Sequence, residues 1–196
     1  MIKTLLAALV VTFAVHAQAE TLKLDTKAST VAWKGFKKMG STHNGGISVK
    51  EGNIETNKKG EITAGLVTID MATITNEDLK DSADYQKKLI GHLSNEDFFN
   101  VTKFPTSTFK ITSVTKKSGD EYTVKGDFTM IGQTNPIEFP AKIKTDKGVT
   151  TGEATVKIDR TKWGLKYGSG NFFKELAGDK IISDEFELTL KLVAKK

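Results

Sequence analysis

The sequence predicts an all-β protein built from one antiparallel sheet, and three observations predict it. From Thr30 onward the dominant period is two. Turn-forming clusters separate successive alternating runs, and only one stretch of any length shifts to helical spacing. Residues 20–196 form a single domain, long enough to bury a substantial core.

Residues 1–19 are set apart as a secretory signal. Lys3 gives a short positive start, Leu5 to Val15 are apolar apart from Thr12, and Ala17-Gln18-Ala19 supplies the small residues a signal peptidase reads. That apolar run is too short to span a bilayer, and no later stretch approaches the roughly 20 apolar residues a transmembrane helix needs. The mature protein is therefore expected to be soluble and exported, beginning at Glu20.

Leu22 to Lys27 reads as a lead-in strand or arm. The alternation is clear in Gly65–Met71, Tyr122–Met130, Ile137–Ile143, Gly152–Ile158 and Ile182–Leu192, each with one apolar and one polar face. Turns are expected at Asn44-Gly45-Gly46, Asn57–Gly60, Lys117–Asp120 and Asp146–Gly148. About eight hairpin-linked strands must either sandwich or close into a barrel, and alternation alone does not choose. Gly65, Gly126 and Gly152 fall on the apolar parity of their strands. There they either bend the sheet or leave volume beside large aromatics.

The period breaks at Asn76–Leu93. Thr75-Asn76 resembles a cap, Glu77 and Asp78 occupy the first turn, and Leu79, Ala83 and Ile90 follow at helical spacing. A short turn capped by Ser94 is expected at Asn95–Phe99, ending before the extended Phe104-Pro105. Asn171–Leu176 reads either as a third helical turn or as an irregular loop among Gly168, Gly170 and Gly178.

Composition narrows the chemistry. The chain has no cysteine, hence no disulfide, thiol nucleophile or thiolate metal site. Its formal net charge of +5 is dispersed rather than clustered, which argues against nucleic acid as a partner. His43 and His92 lack partners at a metal-ligand spacing, and neither a G-x-S-x-G elbow, a Walker lysine nor a dinucleotide fingerprint occurs. No cofactor and no catalysis are expected. What stands out is the aromatic content of the inner face, where side chains must meet in the middle or a ligand must fill the gap.

Several motifs together resemble a known family. His92-Leu93-Ser94-Asn95-Glu96-Asp97-Phe98-Phe99-Asn100-Val101, followed by Phe104-Pro105 and Phe109, resembles the H-L-x-S-x-D-F-F-D-V-x-x-Y/F-P-x-x-x-F signature of the YceI-like family of periplasmic polyisoprenoid-binding proteins. Gly126–Gly132 with Asn135-Pro136-Ile137, Ile158-Asp159-Arg160 with Trp163-Gly164, and Thr42-His43-Asn44-Gly45 resemble its weaker motifs in the same order. The resemblance runs from about Leu24 to Val193. It implies a lipocalin-like antiparallel barrel of eight strands, a helical insertion capping one end, and an apolar cavity holding a linear isoprenoid lipid such as a polyprenyl chain or quinone tail.

From strand parity, the expected lining of such a cavity comprises Trp33, Val67, Ile69, Phe109, Ile111, Phe128, Met130, Phe139, Ile158 and Phe186. Phe98, Phe99 and Phe104 are expected to plug the rim, and His43, Asn44, Arg160 and Lys166 are candidates for a lipid head group at the mouth. The expected role is periplasmic transport or storage, with transient contact at a membrane surface allowed. The oligomeric state is left open, a dimer among the options. Two rivals stand beside this reading: an exported enzyme acting on a small lipid, which needs convergent titratable groups, and a side-chain-filled β-protein acting through its surface on an envelope or secretion partner.

Overall fold

The computed structural model describes residues 20–196, so the expected signal segment 1–19 lies outside the described residues. Nine strands form one sheet: β1 (Glu20–Leu24), β2 (Thr30–Lys37), β3 (Thr42–Thr56), β4 (Ile62–Asp70), β5 (Thr106–Ser118), β6 (Glu121–Met130), β7 (Gln133–Asp146), β8 (Val149–Asp159) and β9 (Ile182–Lys195). Every pairing is antiparallel. Strands β2 to β9 close a ring, β2 against β9 on one side and β3 against β4 on the other.

The barrel has eight staves although it has nine strands. β1 pairs with β3 at residues 53–56 and with β9 at Ala194 and Lys195, just beyond the reach of the short β2. The two strands thus share one stave. The link between them is held by Asp25, whose carboxylate accepts the Lys27 and Ala28 N–H groups, and by Ser29, whose hydroxyl accepts the Val193 N–H at 3.0 Å.

The expected turn at Asn44-Gly45-Gly46 is not a turn; these residues lie inside β3, and the chain reverses one step earlier, at Lys38–Ser41, where Gly40 has φ 97°. Gly45 serves close approach. A Cβ there would run into the Thr75 carbonyl. The segment after β4 runs beside this part of β3, with Thr75 N–H donating to the Gly46 carbonyl and Glu77 N–H to the Asn44 carbonyl, both at 2.9 Å.

The expected helix starts later than Asn76. Asn76 spends its side-chain oxygen on the Leu79 N–H at 3.0 Å and its amide on Asp78, making a turn rather than a helix start, and α1 occupies Ala83–Ser94. None of the residues of α1 is buried. The following turn at 95–99 forms as expected, but Asn95 supplies the accepting side chain, for the Asp97 N–H; Ser94 instead donates back to the Ile90 carbonyl. Residues 171–176 form irregular turns, not a helix.

Packing divides the barrel into two halves along its axis. The hairpin end is filled by Leu22, Leu24, Val49, Ile54 and Val67 on one side and by Val124, Phe139, Ala141 and Val156 on the other, and Val31 lies at the boundary, buried and on the cavity wall. Gly126 belongs to this filled half: the Phe109 ring lies where its side chain would be, so the glycine seats an aromatic instead of leaving space. Phe109 and Phe139 meet at 5.5 Å between centroids. The other half is open inside.

Candidate ligand-binding cavity

At the open half, β2, β3, β4, β6 and β9 turn their inner faces toward a cavity of about 610 Å³, within the usual range for a small-molecule site. Its walls are mainly apolar. Trp33 and Leu188 are directly opposed across the β2–β9 pair, and Phe186 is opposed by Gly35, which leaves room beside the phenyl ring. Phe128, Met130 and Leu165 are buried in the wall, whereas Trp33, Ile47, Ile69, Phe186 and Leu188 point inward yet stay partly exposed. Toward the other end Val67, Val124, Phe139 and Val156 are buried, with Phe109, Ile111 and Leu190 partly buried against them.

The rim is built from three segments. The 74–77 segment is fixed to the barrel by Trp33, whose indole N–H donates to the Thr75 carbonyl at 2.9 Å. Asp78 organises the same side: its carboxylate accepts the Asn44 N–H at 2.8 Å and the Asn76 amide at 2.6 Å, and lies 2.7 Å from His43 Nδ1. Partial burial alone would raise the Asp78 pKa, but the bonds from Asn44, His43 and Asn76 outweigh it and hold the carboxyl below its ordinary value.

The second segment is α1 with the turn after it. Leu89, His92 and Leu93 face the cavity from the helix, and Phe98 and Phe99 from the turn. His92, Phe98 and Tyr167 form an aromatic cluster, with centroid separations of 5.0 Å, 4.7 Å and 5.4 Å. His92 Nε2 lies 3.2 Å from Asp97 Oδ2, so the motif aspartate orients the histidine at the mouth.

The third segment, residues 160–181, is anchored by Arg160. This side chain is 4% exposed. Its guanidinium donates to the carbonyls of Ser183 at 2.9 Å, Leu165 at 2.7 Å and Ile182 at 3.2 Å. Burial lowers the Arg160 pKa, opposed by Asp184 and Asp159, and Asp184 Oδ1 sits 3.7 Å away without a hydrogen-bond partner. Arg160 therefore touches the cavity wall with its donors committed to backbone. Trp163 is locked beside it, its indole N–H donating to the Phe128 carbonyl at 2.9 Å.

Of the residues expected at the ligand, Trp33, His43, Ile69, Phe98, Phe99, Phe128, Met130, Arg160 and Phe186 lie on the cavity wall. Val67, Phe109, Ile111, Phe139 and Ile158 point inward at other depths and belong to the packed core. Phe104 packs over Gly132, away from the cavity, and Asn44 turns its N–H to Asp78. Lys166 sits over the Phe172 ring at 4.7 Å, outside the wall. Sequence reasoning missed Ile47 and Leu188, whose strand parity was readable, and Tyr167, Phe173 and Leu176, which lie in a loop without period.

Among the described residues no group of three His, Asp or Glu side chains converges as a metal site, and no helix is long and apolar enough to cross a membrane. A closed antiparallel barrel, filled at one end and hollow under a helical rim at the other, defines the class: a lipocalin-like barrel with an internal apolar chamber.

Within that class the chain belongs to the YceI-like domain family, whose model matches residues 22–194. Protein YceI of Shigella flexneri is 50% identical over 52 residues, 26% of this chain and 27% of that protein. Protein YceI of Escherichia coli O157:H7 is 48% identical over 52 residues, covering the same shares. The chain thus aligns with only about a quarter of the length of these curated relatives.

Among solved structures, Burkholderia cenocepacia BcnA is similar with TM-score 0.68 and 22% identity, over 88% of this chain and 99% of that one. A polyisoprenoid-binding domain from Saccharophagus degradans, implicated in plant cell wall breakdown, has TM-score 0.62 and 14% identity, over 89% and 97% of the two chains. At these identities the likeness is one of fold.

Proposed function

We propose that this protein is an exported, periplasmic carrier or storage protein that holds the apolar tail of a linear isoprenoid lipid in the chamber and performs no catalysis. The observation that carries the reading is the half-filled barrel. Trp33, Ile47, Ile69, Phe186 and Leu188 face a mainly apolar chamber of about 610 Å³ and are only partly buried, while Leu22, Leu24, Val49, Ile54 and Val67 are buried toward the other end. A polyisoprenoid-binding domain among the similar structures supports the same ligand class.

Desolvation supplies the affinity. Each buried methylene contributes about 0.8 kcal/mol gross, and ordering the chain offsets most of this, so that roughly 0.3 kcal/mol per atom is the practical ceiling for a large ligand. Such a chamber tolerates small changes of tail length. The polar groups at its wall are largely engaged with the protein itself, Arg160 with backbone carbonyls and His43 with Asp78. The chamber also speaks against a side-chain-filled barrel acting only through its surface.

The test is native mass spectrometry, with organic extraction, of protein recovered from its own host's periplasm. A bound adduct that extracts as an isoprenoid is the expected result. A bare protein mass that persists after incubation with quinones and polyprenols would sink the proposal.

A further inference from the structure

Most exposed large apolar side chains of a barrel are scattered, but here four gather at the mouth. Met39 is 64% exposed, Phe172 47%, Tyr167 42% and Phe173 40%. They occupy two adjoining segments. The β2–β3 turn is tied to the loop by Lys38, whose N–H donates to the Ile181 carbonyl at 2.9 Å, and the Met39 side chain lies against Gly178. At its base the loop closes through the Ile182 N–H, which donates to the Gly168 carbonyl at 2.8 Å. The two segments form one lobe.

That lobe is also basic. Lys37, Lys38, Lys166, Lys174 and Lys180 are all exposed on it, against Glu175 and Asp179. Among the described residues none of the five lysines has a carboxylate within ion-pair distance, and the Lys166 ammonium stands 4.7 Å over the Phe172 ring. Its inner side is cavity wall, through Tyr167, Phe173 and Leu176.

Exposed aromatics surrounded by unpaired lysines suit one environment in particular. The rings and thioether enter the boundary between head groups and acyl chains, while the ammonium groups remain at the level of lipid phosphates. We infer that this lobe docks the protein onto an anionic bilayer surface, with the cavity mouth held against the lipid. The inference goes beyond the lipid-carrier reading, because Met39, Phe172, Lys38 and Lys174 lie on the lobe but outside the cavity wall.

Vesicle co-sedimentation tests it, using phosphatidylethanolamine with a quarter phosphatidylglycerol against pure phosphatidylcholine. The wild-type protein is expected to sediment with the anionic vesicles and to be released by high salt. The variants M39S/F172S and K38E/K174E are each expected to lower the bound fraction about tenfold, and none of these side chains lines the cavity. Because all four are exposed, both variants should melt like the wild type. Native mass spectra of the same variants read tail retention separately, so failure of docking is distinguishable from failure of the carrier reading. Wild-type protein that stays in the supernatant with anionic vesicles, or variants that sediment unchanged, would overturn the inference and leave the lobe to a protein partner.

Discussion

The Trp33 indole N–H donates to the Thr75 carbonyl across 2.9 Å, joining the wall of the barrel to the segment that forms its rim. One side chain therefore lines the chamber and fixes its edge. Trp33→Phe keeps much of the apolar surface and removes the donor, so the expected loss is about 1–2 kcal/mol. That corresponds to a fall in Tm of roughly 2–8 °C for a domain of this size. Thermal unfolding of the variant checks it, and an unchanged Tm would show that the rim is held without this bond.

Gly45→Ala acts on the same edge from the backbone side. Its Cβ would collide with the Thr75 carbonyl, so the 74–77 segment must move off β3 and give up its bonds to Gly46 and Asn44. A loss of about 2–3 kcal/mol is expected, with early amide exchange at Thr75 and Glu77. Protection at those amides equal to wild type would contradict the steric account.

Asp78 makes the rim sensitive to acid. Its folded pKa lies below the unfolded one, so its contribution is fully present above the unfolded value and is lost as pH falls through the folded value. Asp78→Asn removes the charge and that dependence. The Tm gap between wild type and Asp78→Asn should be widest near neutrality and should close only below the ordinary carboxylate range. A gap that stays constant into strong acid would show that the charge is not what matters.

Leu188→Trp should separate the two halves of the barrel functionally. At that position, opposite Trp33, the larger ring enters the chamber, and stability should change by no more than about 1 kcal/mol, less than overpacking a filled core costs. Tail retention should fall sharply. Phe139→Ala is the counterpart in the packed half: it should lose about 3–5 kcal/mol while the folded fraction still retains the tail. Equal retention by the two variants would argue against a chamber confined to one end.

Arg160→Met leaves the Leu165, Ile182 and Ser183 carbonyls without their donor and Asp184 without its cation. A loss of about 3–5 kcal/mol is expected, read by urea unfolding. A milder loss together with weakened binding of anionic lipids would instead assign the guanidinium to a head group.

Much of this architecture can be read from alternation, because a period of two identifies both the strands and the face each residue presents. Parity specifies face but not depth. Phe109 and Phe128 are partners on neighbouring strands and both point inward, yet one is packed core and the other chamber wall. What separates them is the stagger of the closed ring, which arises from pairings between distant parts of the chain. Asn44-Gly45-Gly46 misleads for a related reason: its glycine answers a contact with Thr75, 30 residues on, and local turn chemistry has the same appearance. The loop carrying Tyr167 and Phe173 has no period, so only the structure brings it to the mouth.

The shared stave has a consequence for when the barrel can exist. β2 and β1 find their neighbour in β9, so the seam joins the earliest described strands to the last one, and Phe186 and Leu188 arrive with that last strand. Contacts so distant in sequence form late and slowly. A chain still emerging from a ribosome has no closed chamber, and the cavity exists only once the ring is sealed.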